Sequence, residues 1–200
     1  MTTKWDRRFA AEGYFYGTAP ADFVARQAWR LAPGARVLSL AEGEGRNAVY
    51  LARLGARVTA LERSEVALAK ARALGLSQAV QVDWQQHDLA HYDWPEAGFD
   101  AVLGVFIQFA PAPLQARIHA GIARALVPGG LVMLHGFALR QPGYGSGGPG
   151  DPDQLYTLAR LRAAYPGWEL LHQADYDADL AEGTGHQGRA ALVDLVARKP

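Results

Sequence analysis

Two glycines and a later glutamate form the pattern in this sequence with the clearest chemical meaning. Gly43 and Gly45 stand between an apolar run and a stretch with helical periodicity. Glycines at such a turn let the backbone approach a ligand closely, because no side chain intervenes. Glu62 ends the next apolar run, where a carboxylate can accept both hydroxyls of a ribose. A glycine pair alone is equally typical of a plain tight turn, so the combination with Glu62 predicts a nucleoside-bearing ligand.

Asp88 and Leu89 follow the third apolar run and offer a second set of contacts to such a ligand. A carboxylate there can accept a hydrogen bond from an adenine amino group, while the leucine packs against the ring. Asp88 can equally cap the turn or helix that it begins. The sequence leaves both roles of Asp88 open.

Hydrophobic periodicity along the chain alternates between short strand-like runs and longer helix-like stretches. That alternation is typical of βαβ units, in which helices connect parallel strands. The run 99–106 is almost continuously apolar, as expected for a central strand that is covered on both faces. The pattern predicts an α/β fold with strands at 37–41, 57–62, 79–82, 99–106, 131–137, 168–176 and 190–197, and helices at 22–31, 46–54, 64–74, 114–125 and 153–165.

The order of these motifs resembles that of the class I S-adenosylmethionine (SAM)-dependent methyltransferases. The matching segments are Leu-Ser-Leu-Ala-Glu-Gly-Glu-Gly-Arg-Asn at 38–47, Glu62, Asp88-Leu89, Phe-Asp-Ala-Val at 99–102 and Leu-Val-Pro-Gly-Gly at 126–130. The resemblance implies a Rossmann-like, doubly wound, mostly parallel seven-stranded sheet with helices on both faces. It also implies one SAM-binding domain over residues 1–200.

The N-terminal segment resembles a narrower group, the bacterial proteins related to tellurite-resistance and thiopurine methyltransferases. The matching residues are Trp5, Asp6 and Phe9, followed by the run from Tyr14 to Pro20. By this resemblance residues 1–31 form a lid and a helix. Residues 138–153 are rich in Gly and Pro and are expected to form a surface loop at the active edge of the sheet.

The resemblance also assigns the cofactor contacts. The backbone at Ala41 and Gly43 lines the methionine part of SAM, Glu42 contacts its ammonium group and Arg46 its carboxylate. Two positions depart from the family pattern, because Ser39 replaces the usual acidic residue and Ala41 the usual first glycine. The expected cofactor residues, which bind SAM and the product S-adenosylhomocysteine, are Ala41, Glu42, Gly43, Gly45, Arg46, Asn47, Glu62, Asp88, Leu89 and Val105.

Candidate groups for the acceptor side come from strand ends and from the N-terminal segment. Methyl transfer from a sulfonium is an in-line displacement, so the protein chiefly aligns the acceptor and excludes water. His186, set among glycines, is a candidate base, and Tyr16 a candidate catalytic phenol. A strand-end histidine and an aromatic N-terminal segment can also be purely structural. The expected substrate-binding residues are Tyr14, Phe106, Gln108 and His135.

Composition limits the class of partner. The chain has 20 Lys plus Arg and 20 Asp plus Glu, so it has no net positive charge that would attract nucleic acid. The Asn/Asp-Pro-Pro-aromatic motif of amine methylation is missing, which favours a small-molecule acceptor. With no cysteine, thiolate metal sites are excluded, and we expect no metal. The absence of a signal-peptide pattern and of a long apolar run predicts a cytoplasmic protein without a membrane anchor.

Two alternative functions remain open on the sequence. A SAM-binding module without transfer activity is compatible with the altered positions Ser39 and Ala41. A nicotinamide-dependent oxidoreductase also uses a glycine turn and a ribose acid, but the third glycine of the G-x-G-x-x-G pattern is missing here. The sequence does not predict the oligomeric state.

Overall fold

A computed structural model describes residues 3–200, and its seven strands form one mixed sheet in the order β3-β2-β1-β4-β5-β7-β6. The predicted α/β, Rossmann-like fold with a mostly parallel seven-stranded sheet is confirmed. The strands are β1 (Arg36–Leu40), β2 (Arg57–Glu62), β3 (Asp83–Gln86), β4 (Phe99–Val105), β5 (Leu126–Phe137), β6 (Glu169–Glu182) and β7 (His186–Arg198). The helices are α1 (Lys4–Phe9), α2 (Asp22–Gln27), α3 (Arg46–Arg53), α4 (Glu65–Ser77), α5 (Ala112–Ala125) and α6 (Leu158–Ala164).

Contacts divide the chain into two compact units. The first runs to Tyr92 and includes Glu182–His186, and the second contains Asp93–Ala181 and Gln187–Pro200. The single domain expected over residues 1–200 therefore stays a prediction. Met1 and Thr2, the first residues of the expected lid, lie outside the described residues.

In the first unit, β1 and β2 pair in parallel, as do β2 and β3. Every β1 residue after Arg36 is buried, which is what parallel strands covered on both faces require. The pairing Leu40↔Leu61 sets the ends of β1 and β2 side by side, so the glycine loop that follows β1 lies next to Glu62.

In the second unit, β4 pairs in parallel with β5, and β5 pairs antiparallel with β7. The β5–β7 register runs from Leu131↔Arg198 to Phe137↔Leu192. Phe137, Leu155, Ala190 and Leu192 form a buried apolar cluster in this unit.

One predicted strand is misplaced, because β3 was expected at 79–82 and lies at Asp83–Gln86. The amides of Gln78, Ala79 and Val80 donate to carbonyls of the last turn of α4. Ala79 has a φ of 52°, a left-handed conformation typical of a helix C-terminus. The apolar residues around Val80 therefore end a helix, and the strand begins later.

Other boundaries also differ from the prediction. The N-terminal helix α1 was not predicted, and it begins with a capping box in which Thr3 and Asp6 bond each other's backbone. The helix expected at 153–165 is shorter: α6 covers Leu158–Ala164, and a separate 3-10 turn covers Pro152–Gln154. None of the helices described in residues 3–200 combines the length and apolar character needed to cross a membrane.

The Gly- and Pro-rich segment 138–153 is held at two buried side chains. Gln141 accepts the amide of Ala191 at 2.8 Å and donates to the Ser146 hydroxyl at 2.9 Å. That hydroxyl donates in turn to the carbonyl of Arg189 at 2.5 Å. The segment is therefore anchored within its own unit, and its role as a closing loop stays a prediction.

Candidate functional site

The loop between β1 and α3 has three residues with left-handed backbone: Ala41 (φ 45°), Gly43 (φ 67°) and Gly45 (φ 94°). This conformation costs an L-residue other than glycine roughly 1–2 kcal/mol. Ala41, where the resemblance expects a glycine, therefore sits in a strained conformation. Such strain persists where the surrounding structure fixes the backbone, and it concentrates at functional sites.

Glu42 is buried and serves the backbone of α3. One carboxylate oxygen accepts the amides of Asn47 at 2.9 Å and Ala48 at 2.7 Å, and the other accepts the Ser39 hydroxyl. Because Gly45 has no side chain to cap the helix, Glu42 supplies the acceptor that the first turn needs. Burial raises the pKa of Glu42, and these hydrogen bonds oppose the increase. With three protein donors on its oxygens, Glu42 shapes the loop, and a contact to a ligand ammonium would compete with them.

Glu62 joins the end of β2 to the glycine loop. Its carboxylate accepts the amide of Gly43 at 2.9 Å and the amide of Ser64 at 2.8 Å. Burial raises its pKa, and hydrogen bonds from the backbone, including Arg63, oppose that increase. Two carboxylate oxygens offer about four acceptor positions. Glu62 therefore retains acceptor capacity for a ligand hydroxyl, so the carboxylate at this strand end fits a ribose.

Gly45 is required by packing inside the protein. A Cβ atom on Gly45 would lie 2.9 Å from the Cβ of Ala71 and 2.9 Å from a ring carbon of Trp84. The start of α3 thus approaches α4 and β3 too closely for any side chain. At Gly43 a Cβ atom would lie 3.6 Å from the Phe9 ring, so α1 covers this part of the loop. A direct cofactor contact at Gly45 stays a prediction.

Asp88 and Leu89 lie in a turn after β3. Asp88 accepts the amide of Ala90 at 3.0 Å and pairs with the guanidinium of Arg63 at 3.1 Å. The turn-capping role that the sequence left open is therefore present. Leu89 is buried. Contacts of these two residues with adenine stay a prediction.

A buried ion pair anchors the N-terminal segment to α4 and the glycine loop. Lys70 donates to Glu44 at 2.9 Å and to the carbonyls of Ala11 and Gly13 at 2.7 and 2.6 Å. Glu44 also accepts the amide of Phe15 at 2.6 Å. Sequence analysis did not single out Glu44 or Lys70, because their partners lie far away along the chain.

Further polar contacts attach the same segment at other points. Asn47 accepts the amide of Ala21 at 2.9 Å, so this expected cofactor residue serves the backbone. The Tyr14 hydroxyl donates to the carbonyl of Lys70 at 3.2 Å. The Ser64 hydroxyl donates to Asp6 at 2.6 Å and helps to lower the pKa of that carboxyl. The described part of this segment is thus hydrogen-bonded within the first unit, with contacts from both Tyr14 and Asn47, and its role as a lid stays a prediction.

The two candidate catalytic residues lie together. The rings of Tyr16 and His186 are 4.5 Å apart between centroids. His186 Nδ1 lies 2.8 Å from a carboxylate oxygen of Glu182, and Arg46 Nη2 lies 2.9 Å from the same oxygen. Arg8 donates to the Tyr16 hydroxyl at 3.2 Å. Sequence analysis missed Glu182, although its position four residues before His186 could have pointed to it.

The glycines around His186 are needed for contact with the N-terminal segment. The amides of Thr184 and Gly185 both donate to the carbonyl of Phe15 at 2.9 Å. Cβ atoms at Gly183 and Gly185 would collide with the backbone at Phe15 and with the Tyr16 ring, respectively. The turn before His186 therefore packs against residues 15–17, and the role of His186 as a base stays a prediction.

In the second unit, the side chain of Gln108 bonds the backbone of Phe137. Its amide donates to the carbonyl of Phe137 at 2.8 Å and accepts the Phe137 amide at 2.5 Å. By bonding both the carbonyl and the amide of Phe137, the Gln108 side chain continues the hydrogen bonding at the end of β5. Gln108 is also buried. Its role in binding a substrate stays a prediction.

His135 and Phe106 lie at the ends of β5 and β4. His135 Nδ1 lies 2.6 Å from Asp194, so its partner is a carboxylate. The ring of Phe106 packs on those of His135 and Phe137, at 4.8 and 4.6 Å between centroids. Phe106 has a φ of 54°, an uncommon conformation for a bulky residue. Val105 pairs with His135 in the β4–β5 register, and its contact with the cofactor stays a prediction.

Residues 37–130 match the sequence profile of a methyltransferase domain. The chain is 37% identical over 139 residues to a protein-L-isoaspartate O-methyltransferase of Methylorubrum populi, covering 61% of this chain and 63% of that protein. It is 36% identical over 115 residues to a ubiquinone biosynthesis O-methyltransferase of Xanthomonas campestris, covering 56% and 46%. The chain thus spans about half to two thirds of the length of these relatives.

Solved structures show the same fold. TehB from Haemophilus influenzae superposes with a TM-score of 0.74 at 20% identity, covering 92% of this chain and 63% of that one. The magnesium protoporphyrin IX methyltransferase ChlM of Synechocystis, solved with S-adenosylhomocysteine, superposes with a TM-score of 0.68 at 17% identity, covering 89% and 81%. At these identities the likeness concerns the fold.

Proposed function

We propose that the chain belongs to the class I SAM-dependent methyltransferases and transfers the methyl group of SAM to a small molecule. The match of residues 37–130 to a methyltransferase domain, the methyltransferase relatives and the shared fold support this proposal. The observation that carries the proposal is the contact of Glu62 with the amide of Gly43, at 2.9 Å. This contact joins a ribose-accepting carboxylate to the glycine loop in one site. The cofactor supplies an electrophilic methyl group, and the residues below bind and orient it.

For the cofactor we propose a division of roles within the loop. Glu62 accepts the ribose hydroxyls, and the backbone at Ala41 and Gly43 lines the methionine end. Asp88 and Leu89 contact the adenine. Four other members of the expected set contact protein groups in the structure: Glu42 caps α3, Gly45 packs on α4, Arg46 pairs with Glu182 and Asn47 accepts the amide of Ala21.

For the acceptor we propose a small thiol, a thiopurine or a chalcogen oxyanion. The equal numbers of acidic and basic residues support a small molecule over a nucleic acid. The O-methyltransferase names of the matched relatives add acceptors that are methylated on oxygen to those worth screening. A cytoplasmic location forms part of the same proposal.

The first experiment is calorimetric titration of the purified chain with SAM, S-adenosylhomocysteine and NAD in parallel. We expect micromolar binding of SAM and S-adenosylhomocysteine and no binding of NAD. Exclusive binding of NAD, or no binding at all, would contradict the proposal. Acceptors are then screened by following S-adenosylhomocysteine formation with thiols, thiopurines, selenite and catechol.

A second candidate is a SAM-binding module without transfer activity. The observation that favours it is the engagement of Arg46, the expected partner of the SAM carboxylate, with Glu182 at 2.9 Å. Tight binding of SAM combined with no turnover on any acceptor class would support this alternative.

A further inference from the structure

Glu182, the last residue of β6, serves two partners through one carboxylate oxygen. Arg46 Nη2 lies 2.9 Å and His186 Nδ1 lies 2.8 Å from this oxygen. The side chains of Arg46, Glu182 and His186 are exposed by only 8%, 11% and 6%. Because the three groups are buried together, moving one away would leave a buried charge unpaired.

The hydrogen bond to Glu182 determines which ring nitrogen of His186 carries a proton. Burial raises the pKa of Glu182, but the His186 hydrogen bond and the charge and hydrogen bond of Arg46 outweigh it and hold that pKa at about 2. Glu182 is therefore ionised at neutral pH and acts only as an acceptor. Nδ1 of His186 must then be the donor, and in the neutral ring the lone pair lies on Nε2.

Arg46 connects this pair to the glycine loop. It is the first residue of α3, directly after Gly45. Its Nη1 donates to the carbonyl of Tyr16 at 3.2 Å, and its guanidinium lies 5.8 Å from the centre of the Tyr16 ring. The Arg46 guanidinium thus holds the carboxylate of Glu182, which contacts His186. It also holds the backbone of Tyr16, whose ring packs against His186.

We propose, resting on the methyl transfer proposed above, that Glu182 is a positioning residue that keeps the His186 proton on Nδ1 and so makes Nε2 the base for the acceptor. The acceptor atom forms its bond to the methyl carbon as the carbon–sulfur bond breaks, and that electron pair stays on sulfur. The proton of the acceptor passes to Nε2, and the resulting imidazolium is stabilised by Glu182 until water removes the proton.

The charges around His186 set the direction of the expected effects. Glu182 contributes the negative charge in contact with the ring, Arg46 a positive charge on the same carboxylate, and Arg8 a positive charge that reaches the Tyr16 hydroxyl. Tyr16 packs against the ring, and burial raises the pKa of its phenol, so it stays neutral. Removing the charge of Glu182 would therefore remove the negative charge that contacts the imidazole.

Nitrogen-15 NMR of the histidine rings in the chain without ligand tests the tautomer. His186→Ala identifies the signal of His186, and Glu182→Gln is compared with Glu169→Gln, an exposed residue of the same strand. We expect the proton on Nδ1 in the unsubstituted chain. In E182Q we expect the pH of half-protonation to fall by about one unit, because a stabilising charge is lost. A proton on Nε2 in the unsubstituted chain, or an unchanged titration in folded E182Q, would overturn the proposal.

Turnover separates this role from a structural one. Catechol must lose a hydroxyl proton to become a strong nucleophile, whereas selenite is already an anion at neutral pH and attacks through its selenium lone pair without a base. With catechol, E182Q should lower kcat by about 10- to 100-fold and move the acid limb of the pH–rate profile to lower pH. Selenite should be methylated equally by both proteins, and E182D should recover part of the catechol rate. An equal loss with both acceptors, or in E169Q, would assign Glu182 a structural role.

The outcomes distinguish the two proposals. If no acceptor is methylated by the unsubstituted chain, methyl transfer fails, while the NMR result still decides the tautomer. If E182Q does not fold, the NMR and kinetic comparisons use E182D, whose shorter side chain weakens contact with the ring. An E182D chain identical to the unsubstituted one in both measurements would then count against the proposal.

Discussion

Two carboxylates, Glu42 in the glycine loop and Glu62 at the end of β2, differ in the hydrogen bonds that they accept. Glu42 uses both oxygens for the start of α3 and for the Ser39 hydroxyl. Ser39, one of the two positions that depart from the family pattern, is therefore joined to Glu42 by a hydrogen bond. Glu62 accepts backbone amides and retains further acceptor capacity. The carboxylate expected to bind ribose thus also supports the loop that carries the rest of the cofactor contacts.

Replacing Glu62 tests the cofactor site. We expect Glu62→Ala to weaken SAM binding by about 1–3 kcal/mol, because ribose hydroxyls would lose a buried acceptor. Calorimetry measures the change, and Glu65→Ala is the control, since Glu65 is an exposed residue at the start of α4. A melting curve without ligand separates lost binding from loss of the loop. Unchanged affinity in folded Glu62→Ala would remove Glu62 from the site.

The start of α3 is fixed by close packing against α4 and β3. Gly45→Ala adds a methyl group that would lie 2.9 Å from Ala71 and from Trp84. Gly55→Ala is a matched control, because its φ of 91° is close to the 94° of Gly45 and nothing lies within 4 Å of its Cβ position. Both lose roughly 1–2 kcal/mol to left-handed backbone. Gly45→Ala should lose about 1–3 kcal/mol more through overpacking. Urea unfolding that gives equal losses would refute the packing argument.

The N-terminal segment depends on α4 through Lys70. Lys70→Ala removes three hydrogen bonds and leaves the buried carboxylate of Glu44 without its ion-pair partner. We expect the Phe15 amide, which donates to Glu44, to exchange with solvent about tenfold faster, a change of about 1.4 kcal/mol. Hydrogen exchange followed by mass spectrometry measures this. Arg72→Ala on the same helix, where Arg72 pairs with the exposed Glu65, should leave that amide unchanged.

The pattern of residues predicted some parts of the fold and site better than others. Glu62 and His186 were singled out because their neighbours along the chain form recognisable patterns. Glu44 and Lys70 are 26 residues apart and Glu182 bonds Arg46 across 136 residues, and no local pattern encodes such contacts. The contact of Glu182 with His186 spans four residues and could have been predicted. The place of β3 was wrong because apolar residues near Val80 complete the end of α4.

The free energy of unfolding of this protein at acid pH depends on a few buried carboxylates. In the folded chain the pKa of Glu182 is held at about 2, against an ordinary value of 4.5. A carboxyl group whose pKa is lowered by folding stabilises the folded state. This stabilisation is complete at a pH above the ordinary pKa, and it is lost as the pH falls through the pKa of the folded state. Asp194 adds to the trend, because hydrogen bonds from His135, His172 and Tyr176 outweigh burial and lower its pKa.

We therefore expect the free energy of unfolding to decline between pH 4.5 and about 2, with Glu182 contributing on the order of 3 kcal/mol of that loss. Urea unfolding across this range should show a shallower decline for E182Q, which has no carboxylate to protonate. E169Q, which changes an exposed glutamate, should follow the unsubstituted chain. Parallel curves for all three proteins would show that protonation of Glu182 does not change the free energy of unfolding.

The first unit contains Glu182–His186 although all its other residues lie before Asp93. During synthesis on the ribosome, Phe15 is made long before the amides of Thr184 and Gly185 that bind it. Glu182 likewise follows Arg46 by 136 residues, so their ion pair is assembled long after the glycine loop has been made. A nascent chain that stops before Glu182 lacks both His186 and the carboxylate that contacts it.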